Sequence, residues 1–151
     1  MTIRNVQEHD YNQLIDLYQS FFKTHNLFNQ KNSEIVSYLK KQAVKSELIV
    51  YEENGKILGA SFLVNLSNEN GHSRWKFRHF TFTNEKAATK LLKEAEKRVK
   101  KSSKTVKIEL TIAENENSLD FFKQNDYEEE GRLTNHYRWG ETCLVLSKSF
   151  S

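Results

Sequence analysis

The spacing of apolar residues predicts two amphipathic helices in the first third of the chain. A short strand, Thr2 to Val6, comes first, and Asp10 is a candidate N-cap because its carboxylate can accept hydrogen bonds from free amides. Apolar residues then recur at the three- and four-residue spacing of one helix face, at Leu14, Leu17, Tyr18 and Phe21. Thr24 to Lys31 shows no period and is predicted to be a loop. Residues 32–34 offer a cap for a second helix whose buried positions are Ile35, Leu39 and Ala43.

Turn residues and alternating polarity predict a hairpin next. The runs Leu48 to Tyr51 and Ile57 to Leu66 flank the dipeptide Asn54-Gly55. Asn-Gly favours a type I′ turn because both central residues must adopt positive φ, so we expect these two strands to be antiparallel. The polar stretch Asn68 to Ser73 is predicted to be a loop.

A third strand, Arg74 to Thr83, carries an irregular pattern. Its aromatic residues change parity halfway along, from Trp75 and Phe77 to Phe80 and Phe82. One extra residue near Arg78-His79, a β-bulge, would return all four to one face of the sheet.

The second half of the chain predicts a helix, a strand, a short helix and two strands. Asn84 caps a long helix whose apolar stripe is Ala88, Leu91, Leu92, Ala95 and Val99. Further elements follow at Val106 to Ile112, Ser118 to Gln124, Glu128 to Tyr137 and Thr142 to Phe150. Together these elements predict a mixed α/β fold. We expect one twisted, mostly antiparallel sheet of about seven strands with a central parallel pair, flanked by about four helices.

Length and composition exclude several classes of protein. With 151 residues and a net charge of +3, we expect one domain spanning residues 1–151. The one cysteine, Cys143, excludes an intramolecular disulfide framework and is expected to pack as a small apolar residue. No segment resembles a secretory signal or is long enough to span a bilayer, so we expect a cytoplasmic protein without a membrane partner. The histidines lack metal-ligand spacing, so no metal site is predicted.

The strand, turn and helix at Phe80 to Leu92 form a candidate phosphate site. A helix N-terminus presents unpaired amides and a partial positive charge, which suits an anion. Ala87 and Ala88 are small enough for a ligand to approach the backbone, and Lys86 adds charge. The alternative is an ordinary helix start without a ligand, since every helix begins with such amides.

With the segment Asn115 to Tyr127 added, the order of elements resembles the GNAT superfamily of N-acetyltransferases. Asn115, the small Ser118, Phe121 and Tyr127 match the segment of that family that follows the central strand. The resemblance implies direct transfer of an acetyl group from acetyl-CoA to an amine. It also implies that cofactor binding falls to Phe82, Thr83, Lys86, Ala87, Ala88, Asn115 and Phe122.

Two departures from the family pattern leave other functions open. Lys86 and Ala88 stand in place of two glycines in a shortened phosphate turn, and Phe122 replaces a tyrosine that protonates the departing thiolate in many members. One alternative is therefore a GNAT-fold binding or regulatory module with an impaired acetyl site. A less favoured alternative is a nucleic-acid-binding domain that uses the basic helix 84–101, because residues 84–107 hold nine Lys/Arg against three Glu.

His79 and Glu109 are the candidates for the base that accepts a proton from the amine. His79 has a suitable intrinsic pKa, and Glu109 lies on the neighbouring parallel strand. The alternatives are a solvent-facing histidine and an ion pair of Glu109 with Arg78 or Lys76. The expected acceptor is a small-molecule or peptide amine, nucleic acid is a disfavoured partner, and a homodimer through edge strands stays open.

Overall fold

The structure is a computed structural model that describes residues 2–22 and 26–151, so Thr24 and His25 lie outside the described residues. The strands are β1 (Thr2–Asn5), β2 (Glu47–Glu53), β3 (Lys56–Glu69), β4 (His72–Phe82), β5 (Thr105–Ala113), β6 (Glu128–Thr134) and β7 (Thr142–Phe150). The helices are α1 (Tyr11–Phe21), α2 (Asn32–Lys45), α3 (Glu85–Lys100) and α4 (Leu119–Gln124).

The strands form one mixed sheet in the order β1-β2-β3-β4-β5-β7-β6. β4 and β5 are parallel because α3 connects them as a crossover helix, and their pairing runs from His72 opposite Thr105 to Lys76 opposite Glu109. β1 with β2, β2 with β3, β5 with β7 and β6 with β7 pair antiparallel. The predicted fold class is therefore confirmed.

Two-residue Asn-Gly turns shape the hairpins of β2, β3 and β4. Asn54 and Gly55 have φ values of 53° and 79°, which confirms the predicted turn. Asn70 and Gly71 repeat this conformation at 53° and 76°. The predicted loop Asn68 to Ser73 is therefore wrong, because β3 and β4 extend through polar residues up to a second tight turn.

The backbone of β4 is irregular at the position where the alternation of its aromatic residues changes. His79 has a φ of 53°, a left-handed conformation that a non-glycine residue inside a strand rarely adopts. The irregularity predicted near Arg78-His79 is thus present at His79.

Three further boundaries differ from the predictions. Asn26–Asn29, inside the predicted loop, forms a 3-10 turn. α2 begins at Asn32 with Lys31 at the cap position and no side-chain cap. β6 ends at Thr134 rather than at Tyr137, so residues 135–141 form a connecting loop.

The chain divides into two compact units. Unit 1 comprises Met1–Val64 and His79–Arg98, and unit 2 comprises Asn65–Arg78 and Val99–Ser151. The single domain spanning residues 1–151 stays a prediction.

Unit 1 has a core formed by the predicted apolar faces of its helices. Buried residues of α1 and α2 include Leu14, Leu17, Tyr18, Ile35 and Leu39. They pack in one cluster with Leu48, Val50, Ala60 and Phe62 of β2 and β3. An added Cβ at Gly59 of β3 would lie 3.1 Å from the Thr81 oxygen of β4 and 3.2 Å from Leu91 Cδ2 of α3. Gly59 therefore lets β4 and the Leu91 side chain approach β3 closely.

Unit 2 has a core formed by β5, β7 and α4. The alternating residues Val106, Ile108, Leu110 and Ile112 of β5 are buried as predicted. β5 and β7 pair from Val106 opposite Phe150 to Ala113 opposite Cys143. α4 buries Phe121 and Phe122. Among the described residues, no helix has the length and apolar character needed to cross a bilayer.

An ion-pair network holds the beginning of α1. Arg4 donates from Nη1 and Nη2 to the Asp10 carboxylate at 2.7 and 3.0 Å, and from Nη2 to Glu52 at 2.7 Å. The Gln7 N–H donates to Asp10 Oδ2 at 2.7 Å. Asp10 lies at the cap position of α1 but makes no side-chain bond to that helix. The predicted capping role is wrong because Arg4 and Gln7 occupy both carboxylate oxygens.

We expect Asp10→Asn to lower the free energy of unfolding at pH 7 by about 2 kcal/mol, because the charge-assisted hydrogen bonds from Arg4 to Asp10 are weakened and only Glu52 still forms an ion pair with Arg4. Burial raises the pKa of Asp10, but the hydrogen bonds from Arg4 and Gln7 outweigh it, so the pKa in the folded protein lies below its usual value. The stabilisation is therefore complete above the unfolded pKa of about 4 and is lost as the pH falls through the folded value.

Urea denaturation at several pH values measures this difference. The exposed Asp16→Asn is the matched control and should leave stability unchanged. The difference in free energy of unfolding between wild type and Asp10→Asn should become smaller at low pH. A difference that stays constant would contradict the lowered pKa of Asp10.

Candidate active site

The N-terminus of α3 holds most of the residues predicted to bind the cofactor. Asn84 Oδ1 accepts a hydrogen bond from the Ala87 N–H at 2.8 Å, which confirms Asn84 as the cap. The Asn84 carbonyl accepts from the Ala88 N–H at 3.0 Å, and the Thr83 N–H donates to the Leu58 carbonyl at 2.9 Å. The amides of Thr83, Ala87 and Ala88 are thus already satisfied inside the protein, and the assignment of these residues to cofactor binding stays a prediction.

The remaining donors at this end of α3 belong to Glu85 and Lys86. Among the described residues, no hydrogen bond engages these two amides, which are the first of the helix. The Lys86 side chain is exposed, whereas Ala87 and Ala88 are buried. Two amides, a helix dipole and an ammonium therefore remain for an anion such as a diphosphate.

A surface pocket of about 390 Å³ lies beside this turn in unit 1. It is lined by Tyr51, Glu53, Asn54, Lys56, Leu58, Asn84, Lys86 and Ala87. Lys56 and Lys86 make the pocket partly basic, while Glu53 accepts a hydrogen bond from the Tyr51 hydroxyl at 3.0 Å. The pocket therefore lies against the first turn of α3.

His79 lies in an aromatic environment in unit 1. Its Nε2 is 2.8 Å from the Tyr38 hydroxyl. The rings that surround it, with centroids between 5.2 and 6.2 Å away, are those of Tyr18, Phe22, Phe28, Tyr38 and Phe62. The Tyr38 hydroxyl is therefore the hydrogen-bond partner of His79 Nε2.

Glu109 forms an ion pair in unit 2. Arg74 Nη2 lies 2.6 Å from Glu109 Oε1, and Lys76 lies opposite Glu109 in the parallel pairing. The ion pair expected as the alternative to catalysis is thus present, with Arg74 in place of Arg78 or Lys76. The assignments of His79 and Glu109 as bases stay predictions.

Phe122 and Asn115 occupy the end of β5 and the start of α4 in unit 2. Phe122 is buried, with its ring edge-on to Phe121 at 5.2 Å and to Tyr127 at 5.5 Å. Asn115 is exposed, and Ser118 is buried directly before α4. Phe122 thus supports the packing of α4 and supplies no hydroxyl.

Two loops of unit 2 carry titratable side chains, of which Glu116 and Glu141 were not selected by the sequence analysis. The Glu114 N–H donates to the Thr142 carbonyl at 3.0 Å, and the Glu116 N–H donates to the Ala113 carbonyl at 3.0 Å. The loop after β5 therefore lies beside the beginning of β7, next to Cys143.

Burial and the neighbouring charge of Glu141 raise the pKa of Glu116 to about 7, while a backbone hydrogen bond at Ala113 opposes them. Partial burial, with Cys143 and Glu116 nearby, also raises the pKa of Tyr137, which remains 53% exposed. Burial likewise raises the pKa of Cys143, which is fully buried as expected for a small apolar residue. The one signal in the sequence was the run of eight Asp/Glu against one Lys in residues 108–130, which did not single out Glu116.

One group of potential metal ligands occurs among the described residues. His9, Asp10 and Glu52 place ligand atoms within 4.8 Å of one another. The Arg4 guanidinium binds both carboxylates of this group, so a cation already compensates their charge.

Comparison with models of known protein families shows which family this chain belongs to. A model described as an acetyltransferase (GNAT) domain matches residues 12–137, more than half of the chain. The chain is a member of the GNAT acetyltransferase family. Acetyl transfer is therefore the general activity of its family. A comparison of the sequence with curated proteins finds no match.

Solved structures of GNAT acetyltransferases share the fold over nearly the whole chain. An aminoglycoside 6′-acetyltransferase type Ii is 16% identical with a TM-score of 0.77, covering 98% of this chain and 96% of that chain. A ribosomal-protein-alanine N-acetyltransferase from Brucella melitensis is 15% identical with a TM-score of 0.74, covering 99% and 100%. An N-acetyltransferase from Thermoplasma acidophilum in complex with coenzyme A is 17% identical with a TM-score of 0.71, covering 99% and 98%.

We expect Asn84→Ala to destabilise this GNAT domain by about 1 kcal/mol, because the Ala87 amide loses its acceptor. For a chain of this size the melting temperature should fall by about 2–4 °C. Asn84→Asp retains an oxygen acceptor and should keep most of the stability. Equal melting temperatures for Asn84→Ala and wild type would show that the cap contributes nothing.

Proposed function

We propose that this protein is an acetyl-CoA-dependent N-acetyltransferase that moves an acetyl group directly to the amine of a small molecule or peptide. The observation that carries the proposal is the anion site at the start of α3 in a chain of the GNAT family, where the Glu85 and Lys86 amides and the Lys86 ammonium remain for a diphosphate. The Thermoplasma acidophilum neighbour was solved with coenzyme A, which agrees with this choice of acetyl donor.

Two steps of acetyl transfer depend on groups of this chain: polarisation of the thioester carbonyl and release of the thiolate. Backbone amides near Phe82, at the end of β4, are expected to polarise the thioester carbonyl, although the Thr83 amide already donates to Leu58. Phe122 cannot donate a proton to the leaving sulfur. The CoA thiol has a pKa not far above the value of about 8.5 for cysteine, so its thiolate is an adequate leaving group at neutral pH. Acetyl transfer therefore does not require a hydroxyl donor at position 122.

A GNAT-fold binding module with an impaired acetyl site is the second candidate. The internal bonds of the Ala87 and Ala88 amides and the apolar packing of Phe122 favour it, because each removes a polar group that the family uses. A nucleic-acid-binding domain is the third candidate, based on exposed lysines of α3 such as Lys93 and Lys97. Filter binding at two salt concentrations tests it, since phosphate contacts give a steep salt dependence.

Thiol release from acetyl-CoA in the presence of an aminosugar, a polyamine and a peptide with a free N-terminus tests the proposed function. If the protein is an N-acetyltransferase, thiol release should depend on the amine, and the amine product should be heavier by one acetyl group. Binding of acetyl-CoA without transfer to any amine would favour the binding module, and absence of binding would end the proposal.

We expect Lys86→Glu to weaken acetyl-CoA binding by about tenfold, because it places a negative charge beside the diphosphate. Isothermal titration calorimetry measures the change. Lys93→Glu, an equally exposed charge reversal on the same helix, is the matched control and should bind nearly as wild type. Equal affinities for both variants would show that the phosphates bind elsewhere.

A further inference from the structure

The pocket beside the first turn of α3 combines positive charge, apolar surface and one carboxylate within unit 1. Its volume of about 390 Å³ lies in the range of about 300–1,000 Å³ that is typical of small-ligand sites. Leu58 and Ala87 supply apolar surface. Lys56 and Lys86 supply two positive charges, against the one negative charge of Glu53. This combination suits a ligand that carries both a ring system and a strongly anionic group.

Hydrogen bonds from neighbouring elements hold the β2–β3 hairpin, which forms one wall of the pocket. Gln13 of α1 donates from Nε2 to the Gly55 carbonyl at 3.1 Å and accepts from the Ile57 N–H at 2.9 Å. The Thr83 N–H donates to the Leu58 carbonyl at 2.9 Å, which ties the beginning of β3 to the end of β4. This wall is therefore in place before a ligand binds, which lowers the entropic cost of binding.

The lysines of the pocket are not neutralised by the protein. Lys56 lies directly opposite Glu53 in the antiparallel pairing of β2 and β3, but the Glu53 carboxylate accepts from the Tyr51 hydroxyl instead. Within the described part of the chain, no carboxylate lies within ion-pair distance of the Lys56 or Lys86 ammonium. Both lysines are exposed. Two ammonium groups therefore remain for the anionic part of a ligand.

We infer that this pocket binds the adenosine 3′-phosphate end of acetyl-CoA, with Lys56 as the partner of the 3′-phosphate. The inference rests on the proposed function, which assigns the diphosphate to the amides of Glu85 and Lys86. The diphosphate of CoA lies between the adenosine 3′-phosphate and the uncharged pantetheine arm. A phosphate monoester carries a charge of about −1.5 to −2 at pH 7. Of the two ends, the phosphate end therefore matches the charge of the pocket.

Glu53 supplies the group that recognises the adenine base. The Tyr51 side chain is fully buried, and its hydroxyl holds Glu53 Oε2 at 3.0 Å. For Glu53 Oε1, the described residues provide no hydrogen-bond donor. An ionised carboxylate only accepts hydrogen bonds, and the 6-amino group of adenine donates them. Glu53 Oε1 is therefore the acceptor for that amino group.

Calorimetric titration of wild type and Lys56→Ala with acetyl-CoA and 3′-dephospho-acetyl-CoA tests the role of Lys56. Wild type should bind acetyl-CoA about tenfold more tightly, because the dephospho compound brings no charge to Lys56. Lys56→Ala should bind both compounds with the affinity that wild type has for the dephospho compound. Lys45→Ala removes an exposed lysine of α2 that does not line the pocket, so this matched control should keep the preference of wild type.

Adenosine 3′,5′-bisphosphate and its inosine analogue test the role of Glu53. Wild type should bind the adenosine compound about tenfold more tightly, because the inosine base carries an oxygen in place of the amino group. Glu53→Ala should bind the two compounds equally. The adenosine compound should also displace acetyl-CoA from wild type, since both occupy the same pocket.

The possible results separate this inference from the proposed function. If wild type binds both acetyl donors equally, or if Lys56→Ala loses affinity for both alike, Lys56 does not bind the 3′-phosphate while the transferase stands. A preference for the adenosine compound that persists in Glu53→Ala overturns the role of Glu53. An adenosine compound that does not displace acetyl-CoA overturns the assignment of the pocket. Wild type that binds neither acetyl donor overturns the proposed function and this inference with it.

Discussion

The first turn of α3 is the constraint on which the functional account depends. A helix begins with amides that it cannot satisfy itself, so a side chain, water or ligand must accept from them. Asn84 satisfies the Ala87 amide, and the amides of Glu85 and Lys86 remain. The proposed anion site is therefore smaller than the one that a glycine-rich turn provides, and the Lys86 charge supplements it. Under the proposed function, phosphate binding depends more on charge and less on a cradle of backbone amides.

Local sequence predicted the features of the fold that local chemistry determines. Asn54-Gly55 forms the expected turn because few other dipeptides tolerate two positive φ angles. The same logic applies to Asn70-Gly71, but polar flanking residues concealed the strands there. The prediction that the Asp10 carboxylate caps α1 fails for a different reason. Its hydrogen bonds come from Arg4 and Gln7 rather than from the helix that it precedes. A partner on another strand is not visible in a local pattern.

The candidate site was less predictable than the fold. The cap at Asn84 follows from one residue and its neighbours, and it is confirmed. Lys56 could not be selected from the many lysines of the chain, because it lines a pocket with Lys86 only when the β2–β3 hairpin and the start of α3 meet in the fold. His79 and Glu109 were chosen for intrinsic chemistry, and their surroundings show a hydroxyl partner and an ion pair that the sequence does not reveal.

The amide NMR spectrum of the protein during titration with acetyl-CoA tests the central claim most directly. The account predicts that the largest shifts occur at the Glu85 and Lys86 amides, with smaller shifts at Thr83, whose amide is bonded within the sheet. Saturating shifts confined to other parts of the chain, or a spectrum that acetyl-CoA leaves unchanged, would contradict it.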